Sequence, residues 1–132
     1  MFNTSIELHM KIKTICTILL FSFFIATPVF SADCSVAYMY ADDVYTYARK
    51  GYRSDSLDDA EHYAKKAMSS AEDAMFAAAD CGCDYAYSAA DEAYSYARKA
   101  YRSGDYDDAT KYLKKAKGSA IDAMLYAADC GI

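Results

Sequence analysis

From residue 33 onward, tyrosines and alanines recur every seven positions. Tyr38, Tyr45 and Tyr52 are spaced in this way, with Ala41 and Ala48 between them, and Tyr87, Tyr94, Tyr101, Ala90 and Ala97 repeat the arrangement. Seven residues are close to two helical turns, so such positions line one helix face. The spacing predicts helices over roughly Val36–Arg53 and Tyr85–Arg102, each with its Tyr/Ala stripe turned to the core and the hydroxyls reaching a polar rim. A second kind of segment carries alanine alone. Ala60, Ala67 and Ala74 recur every seven residues, as do Ala64, Ala71 and Ala78. This predicts helices over Leu57–Asp80 and, by repetition, Tyr106–Asp129. Small residues along a seam let two helix backbones approach to the lower end of the usual 8–10 Å.

The ends of these segments carry matching signals. Ser56 and Asp105 stand where an N-cap oxygen is needed, and Asp58–Asp59 and Asp107–Asp108 follow at the positive end of the helix dipole. Gly82 and Gly131 follow the last helical residues, where a left-handed cap suits glycine.

Sliding the chain by 49 residues places Cys34–Gly82 on Cys83–Gly131, with 30 of 49 positions identical and no gap. The chain is one helical hairpin written twice. Two hairpins joined by a very short link predict an all-α fold, an antiparallel four-helix bundle. The stretch Cys81-Gly82-Cys83 is then the seam between the units. Cys34 opens the first unit and Cys81 closes it, so both fall at one end of one hairpin, and Cys83 and Cys130 do the same in the other. Three connectivities exist for four cysteines. Hairpin closure favours Cys34–Cys81 with Cys83–Cys130. The rival is Cys34–Cys83 with Cys81–Cys130, because all four should cluster at one pole.

The chain ahead of these repeats is of another kind. Lys11 and Lys13 precede an uncharged apolar run, Pro28 breaks it, and small residues follow at Ser31 and Ala32. This is the pattern of a secretory signal over residues 1–32, with Met10 a second candidate start. The run is short for a membrane span, so no stable membrane insertion is expected after its removal. Residues 33–132 remain, one domain by length, and their four cysteines fit disulfides in an oxidising, periplasmic or extracellular setting.

Composition sharpens this picture. Residues 33–132 contain 23 Ala and 14 Tyr, and only eight residues of Leu, Ile, Val and Phe. The whole chain has 14 basic and 19 acidic side chains; removing Lys11, Lys13 and Glu7 leaves 12 and 18, a net charge of −6. That balance disfavours nucleic acid and acidic membrane surfaces as partners.

The turn AYRSGDYDDATKYLKKA (Ala100–Ala116) resembles the hairpin of a tetratricopeptide repeat: Tyr101, Gly104, Asp105, Tyr106, Ala109, Tyr112 and Ala116 follow that family's scheme. The first unit, with Asp55 at the glycine position, follows it less closely. The resemblance covers about 17 residues per unit, while the period of 49 differs from that family's 34. It implies a helical hairpin and, by analogy, binding of peptides or protein partners.

Catalytic and cofactor chemistry finds little footing. Past residue 32 there is one histidine, His62, and its repeat counterpart is Lys111. No nucleophile motif, phosphate-cradling glycine loop or Cys-x-x-Cys-His haem motif is present. Met75 and Met124 read as seam packing rather than haem ligands, and Asp80 and Asp129 as solvated helix ends rather than metal ligands. Asp42–Asp43 read as a solvated face with Arg49 and Lys50. The expectation is a non-enzymatic protein without cofactor or metal that contacts a protein or peptide partner, of the inhibitor or immunity type among others. A small-molecule or metal-ion carrier is the alternative, and a self-assembling envelope protein a third.

Four residues are candidates for partner contact. Tyr47 and Tyr96 lie about 200° around the helix from Tyr45 and Tyr94, away from the expected core stripe, either as exposed interface anchors or as bundle-edge tyrosines covering alanine. Phe76 and Leu125 lie about 180° from Ala67 and its counterpart Ala116, away from the alanine seam. Two accounts of Phe76 and Leu125 are open: either they pack one hairpin on the other, or they form an exposed patch that receives a partner.

Overall fold

In a computed structural model, residues 33–131 form four helices: α1 (Ser35–Tyr52), α2 (Leu57–Asp80), α3 (Asp84–Arg102) and α4 (Tyr106–Cys130). The segment read as a secretory signal, residues 1–32, lies outside the described residues, as does Ile132. Each helix packs on two neighbours, in the cyclic order α1, α2, α3, α4, and α2 also approaches α4 across the diagonal. This is the antiparallel four-helix bundle expected from the duplication. No described helix is long and apolar enough to cross a membrane.

The helix starts follow local chemistry. The Ser56 hydroxyl accepts from the Asp59 N–H at 3.2 Å, and the Asp105 carboxylate accepts from the Asp108 N–H at 2.9 Å. Each cap satisfies one of the N–H groups a helix leaves unpaired at its start. Gly82 adopts φ +74° and redirects the chain from α2 into α3 within three residues. Gly131 differs from expectation. Its φ is −80°, an ordinary right-handed value.

Both disulfides close their own hairpin: Cys34–Cys81 with a Cα–Cα distance of 5.4 Å and Cys83–Cys130 with 5.9 Å. These distances are ordinary for the bond. The hairpin-closing connectivity is the one present, and the cross-repeat rival is not.

The interior is built from alanine layers. Beside the disulfides, Ala37, Ala78, Ala86 and Ala127 meet, two from each repeat. Next come Ala41, Ala74, Ala90 and Ala123, with Met75 and Met124 packed against them. The half beside the turns holds Ala60, Ala64, Ala67, Ala71 and their counterparts, plus Val44 and Leu113, the largest fully buried side chains. At that pole the Tyr106 hydroxyl of α4 donates to the Ser54 carbonyl in the first turn, tying one hairpin to the other.

The tyrosine stripe is not the core. Tyr38, Tyr52, Tyr87 and Tyr101 stay exposed, and Tyr45 and Tyr94 are only half-buried. The buried stripe of α1 is Ala37, Ala41, Val44, Ala48 and Gly51. Each of Tyr38, Tyr45 and Tyr52 comes one residue after a member of this set, which turns it about 100° away. The small residues sit on the axis because only they allow the close helix approach. The tyrosines flank the seams and cover them from the side.

Candidate functional site: paired cationic clefts beside the turns

A Tyr-Ala-Arg-Lys-x-Tyr-Arg-Ser run recurs in both units, as residues 47–54 and 96–103. In the structure each copy borders a surface cleft between the two helices of its hairpin. The α1–α2 cleft, of about 570 Å³, is lined by Arg49, Lys50, Arg53, Asp55, Asp59 and Tyr63 among others. The α3–α4 cleft, of about 470 Å³, is lined by Ser95, Arg98, Lys99, Arg102 and Tyr112. Arg49, Lys50, Arg53 and Tyr63 are the repeat counterparts of Arg98, Lys99, Arg102 and Tyr112.

Helix geometry brings these groups together. Arg49, Lys50 and Arg53 are spaced for one side of α1 near its C-terminal end, where cations oppose the negative pole of the helix dipole. The partner helix contributes a lysine and a tyrosine. The Lys50 ammonium stands 5.9 Å from the Tyr47 ring centre and 6.0 Å from that of Tyr63, and Lys66 stands 5.5 Å from Tyr47. In the second unit Lys99 is 5.6 Å from Tyr96 and 5.8 Å from Tyr112; Lys115 is 5.5 Å and 5.8 Å from the same rings. An ammonium at this distance from an aromatic centre is within cation–π range. The rings hold the lysines in place and leave the charges at the surface.

The clefts differ in one respect. Asp55 and Asp59 line the first, so carboxylates offset its cations. At the position of Asp55 the second unit has Gly104, with φ +64°, a backbone conformation that favours glycine. No carboxylate lines the α3–α4 cleft.

Tyr47 and Tyr96 sit at the edge of the bundle. Both are half-buried against the main core. Tyr47 immediately precedes buried Ala48, just as Tyr45 immediately follows buried Val44, so the two tyrosines flank the core stripe on opposite sides. Phe76 and Leu125 are 63% and 59% exposed, and the hairpins pack on each other through alanine instead. Phe76 is ten residues beyond Lys66, about 15 Å along α2 at 1.5 Å per residue. The tyrosine clusters and the exposed apolar residues are thus separate features. Composition and charge spacing alone mark Arg49 and Lys50 only as solvated surface and do not single out Arg53, Arg98 or Arg102. The signal that points to them is the run retained in both copies.

Comparison of the chain with protein-family models, with characterised proteins and with solved structures finds no match.

Proposed function

We propose that this protein is an exported, non-enzymatic binding module that contacts a protein or peptide partner. The observation that carries the reading is the exposure of Phe76 and Leu125 in a repeat region, residues 33–132, where Leu, Ile, Val and Phe are scarce. An apolar residue left in water at equivalent places in two repeats is the kind of group an interface buries. Two further features support it. The disulfides fit an oxidising, exported environment, and the turn resembles that of a peptide-binding hairpin family. Carriage of a small cargo has less support, because the described interior is occupied by packed alanines and the two large clefts open at the surface.

The test uses the oxidised protein as bait against the exported fraction of its native cells, beside a Phe76→Ser, Leu125→Ser double variant. The expected result is a specific partner captured by the native protein and lost in the variant, with melting unchanged. Equal capture by both proteins, or an unfolded double variant, refutes the assignment of these residues to the interface.

A further inference from the structure

The two clefts beside the turns are not absorbed by an apolar contact at Phe76 and Leu125. We infer that the α3–α4 cleft is a binding site for a phosphate group, lined by Arg98, Lys99 and Arg102 and reinforced by Lys115. Three cations line one concave space, and Lys115 stands over Tyr112, whose ring forms part of its wall. Like charges brought together at a cleft with no carboxylate in its lining repel one another, and a bound dianion relieves that repulsion. Two guanidiniums suit the task, since each can give a pair of parallel N–H bonds to phosphate oxygens. Lys99 and Lys115 are already positioned on the Tyr96 and Tyr112 rings, which lowers the cost of fixing them around a ligand.

The acidic net charge of the chain does not oppose this. Exposed charges farther apart than about 8–10 Å are largely screened at moderate salt, so the local lining decides. The repeat supplies an internal comparison: the α1–α2 cleft has the same cations but also Asp55 and Asp59, and its field is weaker. Gly104 replaces Asp55, whereas Asp59 has its counterpart in Asp108, which does not line the second cleft. The cleft volume of about 470 Å³ exceeds what a bare phosphate fills, and Tyr112 and Ser95 offer a ring face and a hydroxyl for whatever carries the group.

Isothermal titration of the oxidised protein at moderate salt, about 0.1 M, tests the site with three probes: inorganic phosphate, glucose 6-phosphate and glucose. Saturable binding of a phosphate probe, with none for glucose, is expected. Arg98→Ala with Arg102→Ala should weaken it at least about tenfold through loss of charge-assisted hydrogen bonds. Arg49→Ala with Arg53→Ala removes the same net charge from the other cleft and should change affinity by less than about twofold. All four arginines are exposed, so both pairs should keep the native melting curve, checked by circular dichroism. Glucose 6-phosphate binding more tightly than inorganic phosphate supports the site and assigns it to a phosphate ester; the reverse order supports it and assigns it to the free anion. Absence of saturable phosphate binding, or equal loss from both arginine pairs, overturns the inference.

Discussion

The bundle's two halves are not interchangeable at Gly51 and Leu113, and a double-mutant cycle there tests how the core is specified. A methyl group added at Gly51 would lie 2.7 Å from Leu113 Cδ1 and 3.1 Å from Tyr63 Cβ. Leu113 is fully buried. The repeat-equivalent pair is Ala100 and Ala64, both fully buried. One repeat contact therefore matches glycine with leucine, and the other matches alanine with alanine. In the native background, Gly51→Ala should gain up to about 1 kcal/mol in helix propensity and backbone entropy. Against this, overpacking costs about 1–3 kcal/mol. The net expectation is a loss on the order of 1 kcal/mol. Leu113→Ala alone should cost about 2–5 kcal/mol, by lost burial and the cavity left behind. In that second background Gly51→Ala changes sign and stabilises, because its methyl enters vacated space and the helix gain is kept. The coupling between the two sites is then on the order of 2 kcal/mol. Urea unfolding of the four oxidised proteins, followed by circular dichroism, measures it through the midpoints at constant m. A native-background Gly51→Ala that stabilises the protein, or a coupling near zero, would mean that Leu113 does not occupy the space above Gly51.

Two further predictions concern the staples and the seam. Non-reducing peptide mapping of exported protein should recover Cys34–Cys81 and Cys83–Cys130; with 47 residues separating each pair, chain entropy gives about 4 kcal/mol per bridge, so reduction should lower the melting temperature markedly. Four free thiols in native material would contradict this. Ala67 and Ala116 have no exposed surface, so leucine at either site should cost about 1–3 kcal/mol in urea unfolding; a neutral result would mean the helices stand farther apart than the alanine layers indicate.

The sequence by itself determined the elements and their number, and it favoured one pairing of the cysteines. A heptad recurrence written twice, Ser56 and Asp105 at caps, and cysteines at both ends of each unit are local or repeat-level signals. Each maps onto the backbone through helix geometry alone. For the same reason hairpin closure favoured Cys34–Cys81 with Cys83–Cys130, while the rival pairing at the shared pole was excluded only by the structure. The tertiary structure decided which face is inside. Sequence spacing gives the angle between two residues on a helix but not the absolute direction of the core. Tyrosine, large and amphipathic, is as consistent with a core stripe as with a flank 100° away. Close packing of four backbones selected the alanines, moved Tyr38 and Tyr52 outward, and drew Tyr47 and Tyr96 half inward. The same packing set Tyr112 of α4 beside Arg98, Lys99 and Arg102 of α3, so that a charged helix face borders a cleft. The clustering of the three cations is legible along α3, but the cleft beside them depends on how α3 lies against α4, which spacing along one helix does not give.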